Sequence, residues 1–343
     1  MLTKKILFSI IIPYYSKKQI LSKCLEKLLN QKISKDYFEI IIIDDGSGHD
    51  LISIIKKYIK VNLNIKLIKL LKNRGPGIAR NKGLSISKGR YILFLDTDDF
   101  LKNDTLLILK KIIQKKSVDI ISYNFELHSK VITKYARNDY NILNVNLQKF
   151  IKLFLSMNYN NSVIFSIYKR SLIIDNKIKF KSGYHEDIFF FFQSFFFSKS
   201  KIFLNKNLYI KNNYNNSIIN TFSKKHINDY IKSWIDIKKF LILKYGSKLF
   251  YKNYLKSYSK GLLGISALVI LKNIRIVKNR KKRLFYYSIL FEEIKKYNIK
   301  DINKSNINYI SKYDRIFILF LRYFRSKNNF DLIKFEKEIA NIK

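Results

Sequence analysis

The chain has 343 residues, 47% hydrophobic and 15% aromatic, which is enough apolar material for a sizeable core in one large or two ordinary domains. A single cysteine, Cys24, excludes an intramolecular disulfide and fits a reducing compartment, and two prolines and ten glycines without a Pro-, Gly- or Ser-rich stretch exclude a long flexible linker. The net charge of +42 is spread along the whole chain, with 19 basic and 9 acidic residues in 1–100, 19 and 7 in 101–220, and 29 and 9 in 221–343. Much of it is Lys dispersed among Ile and Asn, so the charge by itself does not define a nucleic-acid surface.

Lys4-Lys5 followed by the apolar run 6–12 imitates a signal peptide, but the run is short and lacks a small-residue cleavage site, so it reads as a first buried strand. Apolar runs at 38–43, 65–71 and 91–95 read as further strands, with amphipathic helices at about 19–30, 51–60 and 77–87 between them. A helix at about 105–116 leads to a fifth strand at 118–122. This βαβ order predicts a mostly parallel sheet in a three-layer α/β/α domain, with its ligand crevice beyond the carboxyl ends of the strands.

After residue 123 the alternation loosens. A strand-like segment at 163–168 precedes 187–197, which is apolar almost all round and reads as a buried helix. Another strand-like segment, 208–214, follows. From about 221 the pattern is helical and basic, which sets the expected boundary between a domain at 1–220 and a C-terminal region at 221–343. The longest apolar run there, 262–271, falls short of the ~20 residues of a membrane span. That run with the basic residues up to Arg283, and the mixed aromatic and basic segment 313–325, have the composition of interfacial helices on an anionic membrane surface, and equally that of a packed bundle with a solvated basic face. The expectation is a cytoplasmic protein, peripheral on the cytoplasmic face of the inner membrane where these helices engage it.

In so basic a chain, acidic clusters at two expected strand ends stand out: Asp44-Asp45-Gly46-Ser47 and Asp96-Thr97-Asp98-Asp99. The first is also a plain turn signal. The second crowds three carboxylates into four residues, which is costly without a cation, and hard oxygen ligands suit Mg²⁺ or Mn²⁺ completed by substrate phosphates. Between them, residues 73–83 (NRGPGIARNKG) run from a glycine-bearing loop into a helix, where a helix N-terminus with arginines can hold phosphate. Glu186-Asp187 opens the Phe-rich helix. The pair can cap that helix, and a carboxylate placed there can also serve as a base. The four histidines, 49, 128, 185 and 226, have no metal-ligand spacing, and Cys24 and Trp234 read as packing residues.

The order SIIIPYY (9–15), EIIIIDDGS (39–47), NRGPGIARNKG (73–83), GRYILFLDTDD (89–99) and GYHEDIFF (183–190) resembles the family 2 glycosyltransferases, which have the GT-A fold. The resemblance implies transfer of a sugar from a nucleotide-diphosphate sugar, UDP being the expected carrier, to a glycan or lipid-linked glycan acceptor in surface-glycan synthesis, with Mn²⁺ or Mg²⁺ as cofactor and no nucleic acid. It implies that Asp44 and Asp45 contact base and ribose, with Pro13 and Tyr14 lining the same pocket. Arg74 or Arg80 would lie near the diphosphate. Asp96 and Asp98 would form the DxD element, Asp98 as metal ligand and Asp96 as sugar or ribose contact or second ligand. Glu186 would touch substrate, and Asp187 would be the general base of an inverting reaction. Two departures mark the chain: residues 214–218 keep the Ser-Ile ending of a family loop without its arginine, and the Gln-x-x-Arg-Trp signature of processive synthases is missing, which favours one sugar per encounter. A basic nucleic-acid-binding protein would leave the aspartates unexplained, and a catalytically silent GT-A partner would have no need of Asp96, Asp98 and Asp187.

Overall fold

The computed structural model describes residues 6–15, 18–60, 64–127, 146–156, 162–212, 223–275, 277–296, 312–325 and 332–341. The 214–218 loop ending and His128 lie outside them. Strands β1 (Phe8–Tyr14), β2 (Phe38–Asp44), β3 (Ile65–Lys69) and β4 (Tyr91–Phe94) pair in parallel in the order β3-β2-β1-β4. They are joined by α1 (Lys18–Leu29), α2 (Ile52–Ile59) and α3 (Pro76–Ile86). Every residue of β2 and β4 is buried, as expected for parallel strands covered on both faces, which explains why they appear in the sequence as continuous apolar runs.

The sheet continues through β5 (Phe100–Leu101), β6 (Ile120–Leu127), β7 (Ser166–Lys169) and β8 (Lys201–Lys211), to give the eight-strand order β3-β2-β1-β4-β7-β6-β8-β5. The expected fifth strand thus exists as β6 but does not lie beside β4. The short β7 is inserted between them and runs antiparallel to both, and the strand-like segment that contains it begins with a 3₁₀ turn, Val163–Phe165. Strand β8 is longer and earlier than its sequence pattern, because Asn205, Lys206 and Asn207 interrupt its apolar alternation. Helices α4 (Thr105–Lys115), α6 (Arg170–Asp175) and α7 (Glu186–Phe197) complete this region.

Two compact units divide the chain, 1–145 with 161–215, and 146–160 with 216–343. Helix α5 (Leu147–Leu155) therefore belongs with the C-terminal helices, across the boundary drawn at 220 from the sequence. Its Phe154 stacks on Trp234, and Gly261 lets its last turn come close: a Cβ at that position would lie 1.9 Å from the Leu155 carbonyl oxygen. The other helices of this unit are α8 (Lys224–Tyr245), α9 (Ser247–Asn253), α10 (Leu255–Val269), the π-helical turn Ile270–Ile274, α11 (Arg280–Lys296), α12 (Lys312–Arg325) and α13 (Leu332–Asn341). Leu262, Leu263, Ile265, Ala267, Val269 and Ile270 are all buried, so these residues of the apolar run at 262–271 form bundle core. In α12, Ile316 and Phe320 are likewise buried. No helix among the described residues is long and apolar enough to cross a membrane.

Candidate active site

The carboxyl ends of β1, β2 and β4 carry the acidic clusters to one edge of the sheet, β1 pairing with both neighbours in register up to Tyr14↔Asp44 and Ile11↔Phe94. Asp44 and Asp45 are buried there. Asp44 Oδ1 accepts the Ser47 N–H at 2.9 Å and closes the turn that follows β2. Asp45 accepts the N–H groups of Arg74 and Gly75 at 2.9 and 2.8 Å, which fastens the loop ahead of α3 to the end of β2. Gly75 sits at φ +88°, a conformation that glycine adopts without the steric cost of a Cβ. Burial raises the Asp45 carboxyl above its ordinary range, outweighing these two donors. The Arg74 side chain is exposed. Tyr14 is buried with its hydroxyl 2.9 Å from His49 Nδ1, and the Pro13 carbonyl accepts the Thr97 hydroxyl at 2.6 Å, tying β1 to the Asp96–Asp98 turn.

Arg80 joins the sequence-distant parts of the site. Its guanidinium is buried and lies 5.4 Å from the Phe180 ring centre; Nη2 donates to Asp96 Oδ1 at 2.8 Å and Nη1 to Glu186 Oε1 at 2.5 Å. The same helix holds the segment before Glu186 by two further devices. The Asn81 amide exchanges hydrogen bonds with the Phe180 backbone at 2.8 and 2.9 Å. Gly77 packs so closely that a Cβ there would lie 2.7 Å from Glu186 Cγ and 2.8 Å from the Lys181 carbonyl oxygen. Beneath them Phe180 stacks on Phe190 at 3.9 Å, and both meet Phe94 edge-on. The Phe-rich helix is thus the apolar floor of the acidic edge.

Asp187 lies in the first turn of α7, half-buried. Loss of hydration, reinforced by the negative charge of Glu186 and Asp96, pushes its carboxyl up to about 7 against the lowering effect of Arg80. Of the residues expected at the site, Asp96, Arg80 and Glu186 are joined directly, and Asp187 shares their electrostatic field. The hydrogen bond between Asp45 and Arg74 is made by the Arg74 backbone N–H. Asp99 departs from the crowded cluster suggested by the sequence. It is turned inward, 1% exposed, accepting the Tyr209 hydroxyl at 2.7 Å and the Asn212 N–H at 2.8 Å, and burial raises its carboxyl to about 7 with Lys211 3.6 Å away.

Among the described residues no three metal-ligating side chains converge. Asp98, half-buried, with Asp96 offers two hard carboxylates, which is the protein donor set Mg²⁺ or Mn²⁺ uses when substrate phosphates and water fill the remaining positions, so the residues present fit such an ion. Gly77, Asn81 and Thr97 were not singled out by sequence reasoning. They stand inside the quoted motifs, but their partners at Glu186, Phe180 and Pro13 are set by tertiary structure.

A β-α-β sheet whose aspartate turns open on one edge, with a carboxylate pair delivered to that edge by a later helix, has the architecture of a GT-A glycosyltransferase domain. The chain belongs to glycosyl transferase family 2, whose profile matches residues 9–189, more than half of its length. Over 100 residues, 29% of this chain, it is 41% identical to the poly(ribitol-phosphate) beta-glucosyltransferase of Bacillus spizizenii, of whose length it spans only 16%. It is 26% identical over 279 residues to the glycosyltransferase GlyG of Streptococcus pneumoniae, covering 75% of this chain and 89% of that one. The fold matches the crystal structure of Staphylococcus aureus TarS 1–349 in complex with UDP-GlcNAc, with a TM-score of 0.70 at 18% identity over 92% of this chain and 88% of the other.

Proposed function

We propose that the chain transfers a single sugar from a nucleotide-diphosphate donor, with UDP as carrier, to a hydroxyl of a surface-glycan or lipid-linked glycan acceptor, with inversion at the anomeric carbon. The observation that supports this is the bridge from Asp96 through Arg80 to Glu186, the neighbour of the proposed base Asp187. The bound UDP-GlcNAc of the TarS structure supports the donor class.

In this mechanism Asp187 takes the proton of the acceptor hydroxyl as its oxygen attacks the anomeric carbon. The bond from that carbon to the diphosphate oxygen breaks on the opposite face, and the electron pair leaves with the nucleoside diphosphate. A carboxyl raised to about 7 is matched to this task, since it is ionised in a large fraction of molecules at neutral pH yet basic enough to accept a proton during attack. Asp98 and Asp96 would hold Mg²⁺ or Mn²⁺, whose contribution when bound is to neutralise charge on the departing diphosphate. Arg80 keeps Asp96 and Glu186 in place and limits the rise of the Asp187 pKa. The Asp44 turn and the Asp45-anchored loop shape the nucleoside end. The basic C-terminal residues, 29 Lys and Arg against 9 acids in 221–343, suit a long-range attraction to an anionic membrane carrying the acceptor.

The test is a panel of nucleotide sugars with Mn²⁺ or Mg²⁺, followed by binding and transfer for Asp187→Asn. Wild type should bind or slowly hydrolyse at least one donor. Asp187→Asn should keep donor affinity while transfer falls about 10²–10⁴-fold, the usual contribution of a general base. Loss of donor binding would remove Asp187 from this role, and a panel without any binding would reject the proposed activity.

A further inference from the structure

Asp99 follows the DxD turn directly, yet both of its oxygens are taken by the protein. Oδ1 accepts the backbone N–H of Asn212, and Oδ2 accepts the Tyr209 hydroxyl with the Lys211 ammonium 3.6 Å away. The carboxylate is buried, facing the end of β8. From that strand end the Asn212 side-chain amide returns to the turn and donates to the carbonyl oxygen of Asp98 at 2.5 Å. The next residues continue the seam. Phe100 and Leu101 pair with Ile210 and Tyr209 as β5 against β8, the Lys102 N–H donates to the Leu208 carbonyl at 3.1 Å, and the Thr105 hydroxyl reaches the same carbonyl at 2.8 Å. Every residue from 98 to 102 is therefore attached to 208–212, a strand more than one hundred positions later.

We infer that Asp99 is a positioning residue for the donor site, a latch that, with Tyr209 and Asn212, holds the Asp98 turn against the end of β8 so that Asp98 is presented in a fixed orientation. This rests on the proposed donor chemistry at Asp98. A carboxylate at the end of a loop samples many orientations, and binding a divalent ion with a diphosphate requires that freedom to be lost. A latch that removes it beforehand strengthens binding without touching the ligand. Loosening the latch then weakens assembly of the nucleotide and ion complex, while leaving the Arg80, Glu186 and Asp187 side of the site intact.

Three variants separate this from direct ligation and from a purely structural role. Tyr209→Phe keeps the buried ring and removes only the hydroxyl. Asn212→Ala removes the amide that holds the Asp98 carbonyl, and Asp99→Asn keeps the volume but loses the charge. The probe is UDP titrated by calorimetry at a series of Mn²⁺ concentrations, with amide hydrogen exchange of residues 96–102 measured in the absence of nucleotide. Each variant should raise the UDP dissociation constant about three- to tenfold and shift half-saturation to higher Mn²⁺, with kcat at saturation changed less than twofold. Tyr209→Phe combined with Asp99→Asn should cost no more than Asp99→Asn alone, since they cut the same link. Exchange at 96–102 should accelerate in all three.

If Tyr209→Phe and Asn212→Ala bind UDP and Mn²⁺ as wild type does while Asp99→Asn does not, Asp99 is a ligand and the latch is wrong. If melting temperature falls but Mn²⁺ dependence and local exchange stay put, the role is structural only and the inference fails. A wild type that binds no nucleotide at any ion concentration overturns the donor chemistry itself, an outcome distinct from variants that bind like a competent wild type.

Discussion

Replacing Arg80 by Met removes a buried charge from between two carboxylates. Arg80 is 5% exposed, and its partner side chains are 30% exposed at Asp96 and 9% at Glu186. Truncating one member of a buried ion pair costs about 3–5 kcal/mol, chiefly because the orphaned partner stays desolvated. Asp96 can regain water and Glu186 cannot, so the low end applies, about 3 kcal/mol. For a unit of this size that lowers the melting temperature by about 6–12 °C. The catalytic effect has a fixed sign. Arg80 lowers the Asp187 pKa, so its loss moves that pKa above about 7, and the acid limb of kcat against pH shifts toward higher pH. At pH 7 the variant should transfer slowly and recover part of its rate at pH 8.5, whereas Arg80→Lys, able to serve one carboxylate, should lie between. The assay is transfer between pH 6 and 9 with saturating donor, alongside thermal melting of the same samples. An unmoved acid limb together with an unchanged melting temperature would refute the bridging role.

Gly77→Ala inserts a methyl group 2.7 Å from Glu186 Cγ, and the Glu186-Asp187 segment must retreat; kcat should fall at least tenfold while UDP affinity stays within about twofold. At the opposite end of the strands, buried Glu39 accepts from Ser9, Lys66 and the Lys88 and Gly89 N–H groups. Burial alone would raise its carboxyl, but these partners, Lys66 and Ser9 first, hold it below the ordinary range. Its stabilisation is therefore complete above the unfolded pKa near ~4.5 and lost as the pH falls through the folded value, so Glu39→Gln should destabilise at pH 7 by roughly 1–3 kcal/mol, with a difference from wild type that narrows on acidification in chemical denaturation. For the membrane, wild type and a variant neutralised at the basic residues of 272–283 are compared by flotation on anionic liposomes at low and physiological salt; weaker flotation of the variant is expected, and equal flotation would reject electrostatic attachment through that stretch.

The strands that carry the acidic edge were legible in the sequence because parallel burial leaves uninterrupted apolar runs, and each of the first four lies within a few residues of its expected position. The aspartate turns were legible because a polar cluster terminates such a run. What the sequence hid was partnership across distance. Asp99 looked like a third member of an acidic cluster, since nothing local points its side chain inward toward Tyr209 and Asn212. Arg80 looked available for phosphate, since Glu186 is far along the chain. Strand β7 escaped its true place because a four-residue strand carries no direction in its composition, and α5 was assigned to the wrong unit because its attachment to Trp234 and Gly261 is entirely tertiary.

The bond from Arg80 to Glu186 spans 106 residues. Closing so long a loop is entropically unfavourable until the intervening strands have found their neighbours, so this contact belongs to the last stage of folding. Strands β1 to β4, in contrast, all lie within the first hundred residues and can pair before that loop closes. During refolding the protein should therefore pass through a stage in which sheet structure has returned but the Glu186-Asp187 segment has not yet been captured. Recovery of transfer would then lag recovery of secondary structure.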